Sequence, residues 1–114
     1  MTTGKFLKNI EFAEAKTLLD LVDYQSGRVV SRTFAQNNVM SLTLFAFDAG
    51  EGLSSHTAAG DAFVQILDGE AQINIGGKDV LAKAGEVVAM PAGIPHSLHA
   101  AHKFKMLLVV VKAA

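Results

Sequence analysis

From Gly27 onward, turn-forming residues punctuate the chain so closely that a helix of ordinary length has nowhere to sit. Asn37-Asn38, residues 48–52, Asp68-Gly69, Gly76-Gly77 and residues 91–95 divide it into short runs rich in β-branched and aromatic side chains. Runs of that kind between turns of that kind are strands. The expected strands are 28–34, 39–47, 62–67, 71–75, 79–81, 87–89, 96–100 and 104–111. Short strands at regular spacing make a sandwich or a barrel, and their number suits a jelly roll. Ahead of them only the stretch from Thr17 predicts helical backbone. Thr17 can cap a turn or two carrying Leu18, Leu19, Leu21 and Val22, with Asp20 in the first turn. The expectation is one all-β domain: residues 27–114 form the barrel, and residues 1–26 pack on the barrel or on a partner.

A chain of 114 residues, half of them apolar, can bury a sizeable core without staples. It has no cysteine, which excludes disulfides, thiolate nucleophiles and iron–sulfur clusters and fits a reducing, cytoplasmic setting. Ten basic and eleven acidic residues leave a net charge of −1 with no basic stripe, so nucleic acid is not an expected partner. The longest apolar run, residues 106–111, is far short of the roughly 18 residues of a membrane-spanning helix, and no membrane partner is expected. Residues 39–47 are apolar on both faces, with Met40, Leu42, Leu44 and Ala46 on one side and Val39, Phe45 and Phe47 on the other. Such a strand is covered on both sides, either by the N-terminal segment or by a second copy in a homodimer.

The chemistry-bearing residues fall into two stretches. In the first, Gly50 is followed by five residues and His56, and Gly69 closes it. In the second, Gly85 is followed by five residues and Pro91, then Gly93, and His96 comes three residues later. The glycines set turn geometry, and the stiff Pro91-to-Pro95 bend delivers His96 at the start of a strand. One histidine thus enters from each half of the barrel. In this order, with hairpins at Gly69 and Gly76-Gly77 between them, the two stretches resemble the paired motifs of the cupins over about half the chain.

That resemblance implies a single-domain jelly-roll β-barrel (a double-stranded β-helix), usually dimeric, whose mouth holds a divalent metal on three histidines and one glutamate. His56 and His96 match the first and last histidines of that set. Ala58 and Ala62 stand where the remaining histidine and the glutamate would be, and Ala100 where an asparagine is frequent. Two neutral imidazoles hold iron, manganese, nickel or zinc weakly, so the metal is expected to be weakly bound or absent.

A carboxylate would change this. Asp61 precedes Ala62, so alternation turns it outward; a bulge near Ala59-Gly60 would turn it inward and complete a two-histidine, one-carboxylate set for an oxygenase or isomerase. Without it, the expectation is a barrel that binds a small molecule in a pocket lined by Met40, Leu42, Ala58, Ala62, Val64 and Ile66, with His56 and His96 as polar anchors. His99 falls on the face opposite His96, and His102 in a solvated turn. Ser54 and Ser55 form no nucleophile with His56, because strand neighbours face opposite ways and no Gly-x-Ser-x-Gly turn is present.

Overall fold

The fold was obtained as a computed structural model in which residues 5–113 are described. The outermost residues of the two expected segments, 1–4 and 114, lie outside that range. A 3₁₀ turn at Leu18–Leu21 is followed by β1 (Val29–Gln36), β2 (Met40–Phe47), β3 (Gly52–His56), β4 (Asp61–Asp68), β5 (Glu70–Ile75), β6 (Lys78–Lys83), β7 (Val87–Met90), β8 (His96–His99) and β9 (Phe104–Val111). The strands form a five-stranded sheet in the order β1-β2-β9-β4-β7 and a four-stranded sheet in the order β3-β8-β5-β6, every pairing antiparallel. This is the all-β jelly-roll barrel that the turn spacing predicts. No helix among the described residues is long and apolar enough to cross a membrane.

No strand is expected at β3, because Gly52-Leu-Ser-Ser-His56 has one apolar residue and no alternation. Backbone pairing with β8 makes it a strand all the same. The helical turn stands where Thr17 predicts it, but the Thr17 side chain makes no cap; the turn closes through the Asp20 amide and the Thr17 carbonyl at 3.0 Å.

Alternation along the paired strands sorts side chains into an inside and an outside. Inside, Phe47, Val64, Ile66, Ile73, Phe104 and Met106 are fully buried, and Phe47 stacks on Phe104 with ring centroids 4.5 Å apart. These residues pack one end of the barrel into a solid floor. At the other end the inner row Ser41–Val110–Ala62–Met90 runs across β2, β9, β4 and β7. Ser41 and Val110 are only half-buried there, which marks the open end.

The outer face of the larger sheet carries a second apolar cluster. Phe34, Leu44 and Ala46 pack with Val22, and Ile10, Leu18, Leu21 and Tyr24 lie against them. Arg32 ties this N-terminal strap down: its guanidinium donates to the carbonyl of Asn9 at 2.6 and 2.8 Å and to that of Leu21 at 3.0 Å. Tyr24 adds a second fastening. Its hydroxyl donates to Asp68 at 2.6 Å, and the Lys103 and Lys105 ammonium groups each lie 4.9 Å from its ring centre. Burial first, then the Asp68 carboxylate, push the phenol well above its ordinary pKa.

The strap covers only part of the face. From Leu42 under its edge, the row Leu42–Val109–Phe63–Ala89 runs out across four strands, and Phe63 is 47% exposed, Val87 52% and Val111 57%.

Candidate functional site

The connections explain why two histidines forty residues apart meet. Residues 57–60 join β3 to β4, and residues 91–95 join β7 to β8, so both links cross at the open end. They are fastened together by the Gly93 amide donating to the Ala58 carbonyl at 2.9 Å. Gly93 has φ +75, a backbone state that side-chain-bearing residues rarely adopt, and it allows the turn between Pro91 and Pro95 that ends at His96.

His96 begins β8 on the inward face, in line with buried Leu98, and is itself only 5% exposed. His56 reaches the same face through a bulge. Leu53 pairs with Leu98 and His56 with His96, so three steps along β3 match two along β8. Without the extra residue, strict alternation from Leu53 would aim His56 outward; with it, His56 lies on the same side as its partner. The rings stand edge to face with centroids 4.3 Å apart.

Both imidazoles are held in the same way. His56 Nδ1 lies 2.7 Å from the Ser54 carbonyl oxygen, and His96 Nδ1 lies 3.2 Å from that of Ile94. A carbonyl oxygen only accepts, so Nδ1 carries the hydrogen and the neutral ring has its lone pair on Nε2. No described buried polar side-chain atom lacks a partner. Nε2 of His96 has no protein partner among the described residues, so it must reach solvent, and from an inward position that solvent is at the barrel mouth. The arrangement presents two fixed hydrogen-bond acceptors, or two metal-ligating atoms, side by side.

Asp61 does not join them. Its carboxylate accepts the Ala92 amide at 2.7 Å and is exposed, pinning the proline-containing turn from outside. The physical reason is register. Asp61 pairs with Val111 and Ala62 with Val110 without a bulge. Gly60 is pressed so closely against the Val111 carbonyl that a Cβ there would lie 2.3 Å from its oxygen. Alternation therefore holds, and the outward position is Asp61's. Among the described residues no three histidines, cysteines or carboxylates come together as a metal site. The donor set present does not fit the family's four-ligand centre.

The residues expected to line the pocket divide three ways. Ala62 lies inside at the mouth, and half-buried Ala58 sits in the neighbouring link. Val64 and Ile66 point inward but are sealed in the packed interior at 0% exposure. Met40 and Leu42 are on the other side of the sheet: Leu42 packs in the outer cluster under the strap. Because β2 is apolar on both faces, its sequence does not say which face turns in; the face carrying Phe45 and Phe47 does. The half-buried inward residues at this end are instead Ser41, Ile75 and Val110, with Ile75 paired directly to His96 and Met90 buried beside Ala62.

His99 and His102 are exposed, away from the pair.

Comparison with known proteins agrees with this architecture. A conserved protein of unknown function from Streptococcus pyogenes superimposes with a TM-score of 0.96 at 38% identity, over 99% of each chain. A cupin superfamily protein from Desulfitobacterium hafniense does so with a TM-score of 0.89 at 29% identity, over 94% of this chain and 98% of that one. An uncharacterized protein from Streptomyces coelicolor is 34% identical over 77 residues, 68% of this chain and 73% of its own. Residues 43–112 match the cupin domain family model, and the chain belongs to that family.

Proposed function

We propose that this cupin binds a small molecule at the open end of its barrel, with His56 and His96 as paired hydrogen-bond acceptors, and that it works as a homodimer. The observation that carries the reading is the common tethering of both Nδ1 atoms to backbone carbonyls, with neither Nε2 atom bonded to any of the described residues. Paired acceptors favour a ligand that presents hydroxyl or amide hydrogens. The wall around them, Ile75 and Val110 with the Ser41 hydroxyl, is apolar with few polar groups, the usual makeup of a small-ligand site. A divalent metal competes for the same lone pairs. With only two protein ligands and water completing the shell, it would be held weakly and unselectively.

Imidazole resonances of histidine-labelled protein, followed during addition of catechol, benzyl alcohol and acetamide, test the reading. Binding of at least one probe should move the Nε2 signals of both histidines and be lost in His56→Ala, whose rim position leaves the core untouched. Failure of all three to bind, or binding unchanged in both His56→Ala and His96→Ala, contradicts it.

A further inference from the structure

The outer face of the four-stranded sheet holds a groove of about 520 Å³ that the barrel-mouth reading does not use. Its floor is built from two cross-strand rows. Gln72 pairs with His99 on β8 and with Leu81 on β6; Asn74 pairs with Ser97 on β8 and with Asp79 on β6. These positions alternate with Ile73 and Leu98, which are in the core, so all six side chains face away from the barrel. On the far side of His99 the β3 partner is Gly52, which adds no side chain to crowd the imidazole.

Within the groove, Asn74 and Asp79 are fixed by each other. The Asn74 amide donates to Asp79 at 2.8 Å, and its carbonyl accepts the Gly77 amide at 3.2 Å. Gln72, Ser97 and His99 make no comparable bond among the described residues, so an amide, a hydroxyl and an imidazole are left with donors and acceptors to offer. Leu81, 57% exposed, places an apolar surface beside them. No lysine or arginine lines the groove, so an anion gains nothing there.

From this combination we infer that the groove is a second ligand site, for a neutral polyhydroxylated molecule of the saccharide class. Closely spaced hydroxyls meet Gln72 and His99, which are neighbours at the strand spacing of about 4.8 Å, and Ser97 and the Asp79 carboxylate, which flank Asn74 in the next row. The C–H face of the sugar ring lies on Leu81. The volume falls in the range of about 300–1,000 Å³ typical of small-ligand sites. The inference is independent of the barrel-mouth reading, because none of its residues is shared with that site.

Backbone amide spectra of the whole chain, titrated with maltose and with N-acetylglucosamine and, as an anionic comparison, with citrate, provide the test. At least one sugar should bind with a Kd on the order of 1 mM, and the shifts should be confined to the amides of 72–81 and 97–99. Gln72→Ala and His99→Ala should each weaken that binding by about tenfold, the loss of one or two hydrogen bonds. Both positions are exposed, and retained spectral dispersion would show that the fold persists. His56→Ala should leave sugar binding unchanged, which keeps this result separate from the barrel mouth. Three results each overturn the inference: no shift with either sugar, shifts gathered at the His56–His96 end, or the same shifts with citrate.

Discussion

At the scale of single residues, what matters is which atoms the backbone has already engaged. His56 and His96 each have Nδ1 on a carbonyl two residues earlier in the chain, so their orientation survives without any third side chain. Asp61 is engaged as well, on the Ala92 amide. Asp61→Ala is therefore expected to leave metal content unchanged and to speed hydrogen exchange at Ala92; metal analysis beside exchange rates checks both. Asp48 shows the same logic in its titration. The Gly27 amide, 2.7 Å away, and then the Ala49 amide hold its carboxyl below the ordinary range. A lowered folded-state pKa contributes stability that is fully present above the unfolded value and is lost as pH falls through the folded one. Asp48→Asn should thus lower the urea midpoint at neutral pH and narrow the gap from wild type in acid below the carboxylate range; an equal gap at both would count against this. The two histidines are legible in the sequence because turns of fixed spacing place them. Their tethering is not, since it depends on where backbone carbonyls point, and neither is the bulge that turns His56 inward, since Ser54 and Ser55 carry no pattern that announces one.

At the scale of elements, the barrel has a packed floor and a strapped flank. The floor rests on Phe47 and Phe104, both fully buried. Phe104→Ala should cost about 3–5 kcal/mol of stability, read from denaturant unfolding, while sparing the orientation of the two histidines at the other end. The strap hangs on Arg32, whose hydrogen bonds to Asn9 and Leu21 join a charged donor to backbone acceptors. Bonds of that kind contribute roughly 1.5–3 kcal/mol. Partial exposure places this set toward the low end. Arg32→Ala should raise hydrogen exchange over residues 8–22 while the strands of the smaller sheet stay protected; uniform loss of protection would mean that the strap is not a separable element. Element type was legible almost throughout, because turn residues and β-branched runs report directly on strands. The inward face of β2 was not. With apolar residues on both sides, the choice between the Leu42 face and the Phe45 face is settled by what the strap covers, and that is a tertiary fact.

At the scale of the whole molecule, two surfaces set the behaviour: the uncovered apolar row outside and the open mouth inside. The row Leu42–Val109–Phe63–Ala89 continues past the strap with Val87 and Val111 beside it. An exposed, mainly apolar sheet face, with Asp61 at its edge beside Val111, suits a second copy of itself. Phe63→Asp should shift the protein from dimer to monomer in light scattering without loss of fold; a wild-type monomer at micromolar concentration would remove the dimer from the proposal. The mouth holds two anchored imidazoles without, among the described residues, the partners that make a tight metal centre. Ala62 faces inward there and Ala58 lies in the adjoining link, so Ala58→His with Ala62→Glu supplies the two missing ligand types at the places the family pattern gives them. The most direct measurement is calorimetric titration of manganese and nickel into wild type and this double variant, after dialysis against chelator. The expected result is weak, readily stripped binding in the wild type and affinity higher by orders of magnitude in the variant, because two more ligands complete the shell. Stoichiometric metal that survives chelation in the wild type would contradict the account.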